Sequence, residues 1–343
     1  MAKYHVSRDG KVRPCRSKGV CPLGTSFDGK ASAEEYVKVK AEQNDKYEQA
    51  LETKESYTME EALERGEFVG KTVSAQLKNG RDTKSLYFDT VKGEYTEERQ
   101  KLHREILDEL HNKYKDVPSE GKAVFSAGLP GAGKTTVLNM LKDGSEGVNV
   151  DNFATVSSDD IKEIFAEKGM IPKVDGLSEM EASTLVHEES SYLADIFLSE
   201  LGQQNKNIIY DFTCKNADIT ARRMNILKNA GYKERDMQFV FVDIPLEVAE
   251  ERANYRYYAG LNDGIQKKGH TGGRYLPKGV LYQNKSKTGK YSSVNAEALL
   301  EVYNRNKDKG MPEPIVYDNS GNIFKNPDYK PQKIDFREFA SRR

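Results

Sequence analysis

Ala123-Val-Phe-Ser-Ala-Gly-Leu-Pro-Gly-Ala-Gly-Lys-Thr-Thr-Val-Leu-Asn-Met140 joins an apolar run, a glycine-rich turn and a helix-forming run in one segment. Glycines in such a turn let successive backbone N–H groups point at phosphate oxygens, and a following helix adds the positive end of its dipole. We therefore predict a strand, a phosphate-binding loop and a helix, and with them a site for ATP or GTP. The residues assigned to the loop are Gly128, Leu129, Pro130, Gly131, Ala132, Gly133, Lys134, Thr135 and Thr136.

Two side chains of this loop match the needs of phosphate chemistry. Lys134 would reach the β- and γ-phosphates of the nucleotide, and Thr135 would be a ligand of Mg²⁺. The competing interpretation is a glycine-rich turn that binds nothing. The apolar run before the loop and the helical pattern after it favour the phosphate-binding interpretation.

Composition and charge exclude several classes of protein. The chain has 53 Lys and Arg against 54 Asp and Glu, so no net field attracts nucleic acid or an anionic membrane. No apolar stretch approaches the roughly 18 residues of a membrane span, and the first residues do not resemble a signal peptide. We expect a cytoplasmic protein with neither a membrane nor nucleic acid as a partner.

The cysteines permit a metal site but do not require one. Cys15 and Cys21 are close enough in the sequence to bind a metal with His5 as a third ligand. Three ligands at an unusual spacing are few for zinc, so reduced cysteines without a metal are the alternative.

Strands and helices alternate along most of the chain. Continuous apolar runs predict five strands, with helical patterns between them, at 123–128, 153–156, 207–211, 238–243 and 315–318. This order is typical of a parallel sheet with helices on both faces. We predict an α/β fold, a three-layer sandwich of the P-loop type.

The composition divides the chain into two parts. Residues 1–95 are charged and partly helical, and the capping box Thr58-Met-Glu-Glu61 predicts the start of a helix there. Residues 96–343 would form the nucleotide-binding domain. Within that domain, residues 259–292 are rich in Gly and Lys and poor in apolar residues, which predicts a mobile loop that serves as a lid.

Three acidic residues are candidates for the chemistry at the γ-phosphate. Asp159 follows the second predicted strand, where a base for an alcohol acceptor is expected, and a helix N-cap is its alternative role. Asp211 and Asp243 each close an apolar run and compete for the role of the carboxylate that organises Mg²⁺ or its waters. Spacing in the sequence does not separate these two.

Three arginines are candidates for phosphate contacts. Arg252 and Arg256 are one helical turn apart before the lid, and Arg274 lies within it. Guanidinium groups bind phosphate oxygens in a bidentate manner and follow the charge that spreads in the transition state. A solvated charged face is the alternative for each of them.

These motifs resemble the zeta toxin family of P-loop kinases over roughly residues 96–290. Its well-known members phosphorylate the 3′-hydroxyl of UDP-N-acetylglucosamine. The matching blocks are the loop, Val156-Ser-Ser-Asp-Asp-Ile-Lys162, Asn207-Ile-Ile-Tyr-Asp-Phe-Thr213 and the arginines. The resemblance implies a kinase with Asp159 as general base and with Asp211 and Thr213 at the substrate sugar. It also implies that Lys134, Arg256 and Arg274 grip the phosphates.

Two features depart from the family pattern. Phe212 precedes Thr213 where the family often has Gly, and the basic residue two positions on is Lys215, which we include among the substrate contacts. The segment Glu181-Ala-Ser-Thr-Leu-Val-His-Glu-Glu189 resembles the family's chromosomal and phage-borne branch. We expect Glu189, or its neighbour Glu188, to contact substrate, and a solvated helix face is the alternative.

The leading expectation is transfer of the γ-phosphate of ATP or GTP, with Mg²⁺, to UDP-N-acetylglucosamine or a related sugar nucleotide. Such a reaction would deplete a cell-wall precursor and make the protein toxic. A nucleoside, a nucleic-acid end or a small antibiotic is the alternative acceptor, and a nucleotide-driven switch is a third interpretation. The resemblance implies an antitoxin partner. Residues 1–95 are a candidate interaction or delivery module, or a regulator in cis that covers the nucleotide site. In the second case, deletion of residues 1–90 would raise the activity.

Overall fold

The structure is a computed structural model, and it describes residues 4–6, 11–14, 26–27, 29–142, 144, 148–266, 272–321, 323, 326 and 328–342. The strands are β1 (Tyr4–Val6), β2 (Val12–Pro14), β3 (Ser26–Phe27), β4 (Phe88–Asp89), β5 (Glu94–Tyr95), β6 (Ala123–Gly128), β7 (Ala154–Ser157), β8 (Ile208–Asp211), β9 (Met237–Asp243), β10 (Ile315–Asp318) and β11 (Gln332–Ile334). The helices are α1 (Lys30–Thr53), α2 (Met59–Lys78), α3 (Thr83–Tyr87), α4 (Glu97–Lys113), α5 (Lys134–Met140), α6 (Ser158–Glu167), α7 (His187–Gln203), α8 (Ala217–Asn229), α9 (Leu246–Gln266), α10 (Lys278–Tyr282), α11 (Val294–Asn306) and α12 (Phe336–Ala340).

A six-stranded sheet in the order β11-β10-β9-β6-β8-β7 forms the centre of the molecule. The strand before the phosphate-binding loop, β6, pairs in parallel with β8 on one side and with β9 on the other. The outer pairs β7·β8 and β10·β9 are also parallel, and β11 alone runs antiparallel to its neighbour β10. This mostly parallel sheet, flanked by helices, confirms the predicted α/β fold.

The core lies on both faces of this sheet. All of β6 is buried, because its successive side chains point to opposite faces and both faces are covered. Phe125 and Ala127 belong to the larger apolar cluster, whereas Val124 belongs to the cluster on the other face. The continuous apolar runs of the sequence therefore correspond to strands that are buried on both sides.

The N-terminal helix α2 packs into the same core. Its Val69 and Val73 belong to the larger apolar cluster, together with residues of the central sheet. Arg65 of the same helix is fully buried, and the backbone N–H of Tyr57 donates to Asn262 Oδ1 of α9 at 2.7 Å. Helix α2 therefore shares the apolar core on one face of the central sheet.

Part of the predicted lid is helical among the described residues. Helix α9 continues to Gln266, and α10 occupies part of the region beyond it.

The capping box of α2 is present as predicted, since Thr58 Oγ1 accepts from the Glu61 N–H and Glu61 accepts from the Thr58 N–H.

Cys15 and Cys21, which were considered from the sequence as metal ligands, lie outside the described residues. Among the described residues, no group of three or more His, Cys, Asp and Glu side chains could hold a metal ion. None of the helices that the structure describes is both long and apolar enough to cross a membrane.

Candidate active site

The glycine-rich loop between β6 and α5 has a backbone that only glycine adopts readily. Gly131 and Gly133 have φ values of 81° and 85°. A Cβ added at Gly131 would lie 2.9 Å from Ala249 O, and one added at Gly133 would meet Asn319 Nδ2 at less than 3.0 Å. The loop is therefore tightly supported from below by α9 and by the turn that follows β10.

The other residues assigned to the loop are either buried in the core or accessible to solvent. Leu129 and Ala132 are buried and anchor the loop in the second apolar cluster. Pro130 is half-buried, and Thr135 and Thr136 are exposed at the start of α5.

Two side chains beneath the loop fix its shape. Asn319 Nδ2 donates to the Ala132 carbonyl at 2.6 Å. Arg252 Nη2 donates to the carbonyls of Asn319 and Gly321 at 2.7 and 2.8 Å. Arg252 is buried and engaged with backbone carbonyls, so the structure gives it the role of supporting the loop instead of the phosphate contact considered from the sequence. Asn319 had no signal in the sequence, because its role depends on where β10 lies in the sheet.

The structure separates the two acidic residues that competed for the role at Mg²⁺. Asp211 Oδ1 lies 3.8 Å from Lys134 Nζ of the loop. Burial raises the pKa of Asp211 above its ordinary value, although the charge of Lys134 opposes this effect. Asp243, by contrast, accepts hydrogen bonds from the Ser292 hydroxyl and from Arg342 Nη1. Asp211 is therefore the carboxylate beside Lys134, whereas the carboxylate of Asp243 is engaged by Ser292 and Arg342.

Asp159 lies in the first turn of α6 and is held by two cations. Arg274 Nη1 is 2.5 Å and Lys162 Nζ is 3.1 Å from Asp159 Oδ1. Burial raises the pKa of Asp159, but the charges of Lys162 and Arg274 outweigh burial and hold that pKa well below its ordinary value. The helix N-cap is Ser157, whose Oγ accepts from the N–H groups of Asp159 and Asp160, so the carboxylate of Asp159 is not needed for capping.

Lys162 is a site residue that the sequence reasoning missed. Its side chain is buried, and its ammonium group contacts Asp159 one helical turn earlier. The spacing of the two residues on a predicted helix was the available signal.

The remaining candidates lie on α9 and beyond the end of β8. Arg256 of α9 is exposed, and the charges of Arg274, Asp159 and Asp211 are close enough to affect its pKa. Beyond the end of β8, the Thr213 carbonyl accepts from Asn295 Nδ2 at 2.5 Å. Lys215 is exposed, and its Nζ donates to Gln283 Oε1 at 3.3 Å.

Glu189 is engaged inside the protein, which corrects the prediction that it contacts substrate. Its side chain is fully buried, and Arg99 of α4 donates to both of its oxygens at 2.8 and 2.6 Å. His103 Nε2 lies 2.6 Å from Glu189 Oε1. The carboxylate therefore joins α7 to α4. Its neighbour Glu188 is exposed and pairs with Lys84 at 3.3 Å.

Acid is expected to weaken this buried network. Burial raises the pKa of Glu189, but hydrogen bonds from His103 and Arg99 outweigh it and lower the pKa from 4.5 to about 2. The stabilisation, about 3 kcal/mol, is present above pH 4.5 and is lost as the pH falls toward 2. Denaturant titrations over this pH range should show a smaller fall in the free energy of unfolding for Glu189→Gln than for the wild type. Glu188→Gln is the matched control and should keep the wild-type slope; equal slopes in all three proteins would contradict the assignment.

A family model described as Zeta toxin matches residues 104–308. No curated protein matches the chain.

Several solved structures are similar in fold. One is the complex of AvrRxo1-ORF1 and AvrRxo1-ORF2 with sulphate ions, which is 18% identical, covers 74% of this chain and 76% of that chain, and has a TM-score of 0.51. Another comes from the PezAT chromosomal toxin–antitoxin system of Streptococcus pneumoniae, with 12% identity, coverage of 66% and 78%, and a TM-score of 0.43. The first of these likenesses supports the fold.

The family match includes the elements that carry the candidate site. Residues 104–308 contain the glycine-rich loop, Asp159, Asp211 and Arg274. Because this match spans more than half of the sequence, the chain belongs to the zeta toxin family and is a nucleotide-dependent P-loop kinase.

Proposed function

We propose that this kinase transfers the γ-phosphoryl group of ATP or GTP, with Mg²⁺, to a hydroxyl of UDP-N-acetylglucosamine or a related sugar nucleotide. One observation carries the proposal. At one edge of the sheet, Lys134 of the loop lies 3.8 Å from Asp211, while Asp159 is held by Lys162 and Arg274. Ser157, two residues before Asp159, is directly opposite Asp211 in the β7·β8 pair, which brings both acids to the same edge.

The donor nucleotide would bind with its phosphates on the loop. The N–H groups of the loop and the ammonium of Lys134 would hold the phosphate oxygens. Arg256 and Arg274 would neutralise the charge that develops on the phosphoryl group as it moves. Because phosphoryl transfer is catalysed mainly by positioning and charge neutralisation, this set of cations matches the need of the reaction.

Thr135 and Asp211 are the residues that would hold Mg²⁺. Asp211 Oδ1 is buried and has no hydrogen-bond partner among the described residues, and Thr135 offers a hydroxyl at the start of α5. These are oxygen ligands, and Mg²⁺ in kinases is held by one or two such groups together with substrate phosphates, without a cage of protein ligands. When bound, the ion would neutralise negative charge on the nucleotide phosphates.

Asp159 would act as the general base toward the acceptor hydroxyl. The acceptor oxygen forms a bond to the γ-phosphorus, its proton goes to the Asp159 carboxylate, and the bond from the γ-phosphorus to the leaving diphosphate breaks. The carboxylate in its present ion pairs is a weak base, since its pKa is held low by Lys162 and Arg274. Phosphates on the loop would offer Arg274 a second anion, and the loss of that contact would raise the pKa of Asp159 toward its ordinary value.

The acceptor would lie beyond the end of β8. We propose contacts from Asp211, from the hydroxyl of Thr213 and from the ammonium of Lys215. The neighbouring Phe212 ring packs against the rings of Phe125 and Tyr210, with centroids 6.0 and 5.3 Å away, so it would support the proposed acceptor site from the core side. A sugar nucleotide carries both hydroxyls and phosphates, which suits a site that combines acids with Lys162, Arg256 and Arg274.

We also propose that the activity is toxic through loss of a cell-wall precursor and that an antitoxin partner restrains it. The family membership supports this proposal.

Mass spectrometry of the reaction products tests the proposed function. The full chain is incubated with ATP or GTP, Mg²⁺ and a panel that contains UDP-N-acetylglucosamine, other UDP-sugars, nucleosides and 5′-hydroxyl oligonucleotides. We expect one added phosphoryl group on a UDP-sugar with the wild-type protein and none with Lys134→Ala. Phosphorylation of a nucleoside or oligonucleotide alone would replace the acceptor class, and nucleotide hydrolysis without any phosphorylated acceptor would contradict the kinase mechanism.

A further inference from the structure

Residues 272–277, here called the lid segment, carry Arg274 and lie between α9 and α2. On the α9 side the backbones touch. A Cβ added at Gly273 would lie 2.6 Å from Tyr257 O, and one added at Gly260 would lie 2.6 Å from Gly273 Cα. No larger residue fits at this contact, so the lid segment is seated directly on α9.

On the other side, the ring of Tyr275 lies across two glycines of α2. A Cβ added at Gly66 would be closer than 3.0 Å to two ring carbons, and one added at Gly70 would be 3.2 Å from Tyr275 Cε1 and 3.5 Å from Pro277 Cγ. Gly66 and Gly70 are one helical turn apart and therefore share a face. We call this pair the glycine slot. Each glycine in a helix costs up to about 1 kcal/mol relative to alanine, which favours a packing reason for two of them.

The slot is anchored to the rest of the enzyme by the residue before it. Arg65 is fully buried, and its Nε and Nη2 each donate to a different oxygen of Glu181 at 2.7 Å. The Tyr257 hydroxyl of α9 donates to the same carboxylate at 2.6 Å, and the Tyr257 ring lies 5.2 Å from that of Tyr275. Helix α2, helix α9 and the lid segment are thus joined in one network.

Between these two supports, Arg274 reaches Asp159 at 2.5 Å. We propose that α2 is a positioning element of the kinase: its glycine slot seats Tyr275 and thereby places Arg274 at Asp159. A part of the chain that precedes the family-matched residues 104–308 thus belongs to the catalytic unit. The proposal rests on the proposed function for the roles of Arg274 and Asp159.

A double-mutant cycle on the full chain tests the slot without any activity assay. Gly66→Ala should lower the Tm in the wild type, although alanine is the better helix former, because the new methyl group displaces the Tyr275 ring. In a Tyr275→Ala background the same substitution should raise the Tm by about 1–2 °C. Gly279→Ala in α10, where a Cβ meets nothing within 4 Å, is the matched control and should not change sign between backgrounds. A Gly66→Ala effect of the same sign in both backgrounds would overturn the slot.

Kinetics test whether the slot positions Arg274. Gly66→Ala and Tyr275→Ala should lower kcat by about 10-fold to 10²-fold while the KM for nucleotide stays within about twofold. Tyr275→Phe keeps the ring and should restore the wild-type kcat. A wild-type kcat in Gly66→Ala, despite the reversal of sign in Tm, would overturn the positioning role.

Hydrogen exchange separates a failure of this proposal from a failure of the proposed function. Amides of the lid segment should exchange faster in Gly66→Ala than in the wild type and Gly279→Ala, and equal rates would overturn the proposal. If the wild-type protein phosphorylates none of the acceptors while the exchange rates differ, the acceptor assignment fails and the seating of the lid segment by α2 stands.

Discussion

Asp159→Asn is expected to lower kcat by about 10² to 10⁴-fold, the range associated with loss of a general base. Asparagine has the same shape but does not take up the acceptor proton, and it removes the anion that Arg274 and Lys162 contact at 2.5 and 3.1 Å. The nucleotide phosphates would still bind to the loop and to Lys134. We therefore expect the dissociation constant for ATP, measured by calorimetry, to stay within a few-fold of the wild-type value while phosphorylated product, measured by mass spectrometry, nearly disappears.

Asp160→Asn is the matched control for this experiment. Asp160 is the next residue of α6, its side chain is exposed, and its N–H shares the Ser157 cap with Asp159. We expect a kcat within about twofold of the wild type for this variant, because the substitution removes an acid from the same turn without touching Arg274 or Lys162. Similar kcat values for Asp159→Asn and the wild type would contradict the assignment of the base.

Arg65→Ala is expected to lower the free energy of unfolding by about 3–5 kcal/mol, the usual cost of removing one partner of a buried ion pair. The substitution would leave Glu181 fully buried, with the Tyr257 hydroxyl and the Ser178 N–H as its remaining donors. It would also weaken the attachment of α2 to the core. Denaturant unfolding measures the change, and loss of folded protein at room temperature would be its extreme form.

Lys71→Ala provides the control on the same helix. Lys71 pairs with Glu67 at 3.7 Å, and both side chains are largely exposed, so its loss should cost no more than about 0.5 kcal/mol. Equal effects of the two substitutions would contradict the structural role of Arg65.

The same contacts bear on regulation by the N-terminal region. An inhibitory segment that merely covers the nucleotide site would be removable, and deletion of residues 1–90 would raise activity. Because that deletion removes Arg65, Val69 and Val73 from the core, we expect it to abolish folding and activity instead. An increase in activity after the deletion would contradict this expectation and support regulation in cis.

Local patterns predicted the five parallel strands and the loop well, since the apolar run of a strand and the glycines of a loop depend on neighbours in the sequence. The antiparallel strand β11 and the order of the strands in the sheet were not predicted. A strand buried on both faces has a continuous apolar run, as in β6, and a phosphate-binding loop needs glycines at positions of positive φ. The roles of charged side chains could not be predicted in the same way. Arg252 and Arg256 are one turn apart on α9, yet one is buried beneath the loop and the other is exposed.

The amino-acid sequence by itself determined the fold class and the phosphate-binding loop, because backbone preference and apolar periodicity are local properties. The family was indicated by the resemblance of its motifs to those of the zeta toxin family. Only the tertiary structure decided that Asp211 and not Asp243 lies beside Lys134, that Glu189 is internal, and that α2 is part of the core. The physical reason is that the energy of a charge depends on its burial and on its partners. Arg65 and Glu181 are 116 residues apart in the sequence, and folding alone brings them together.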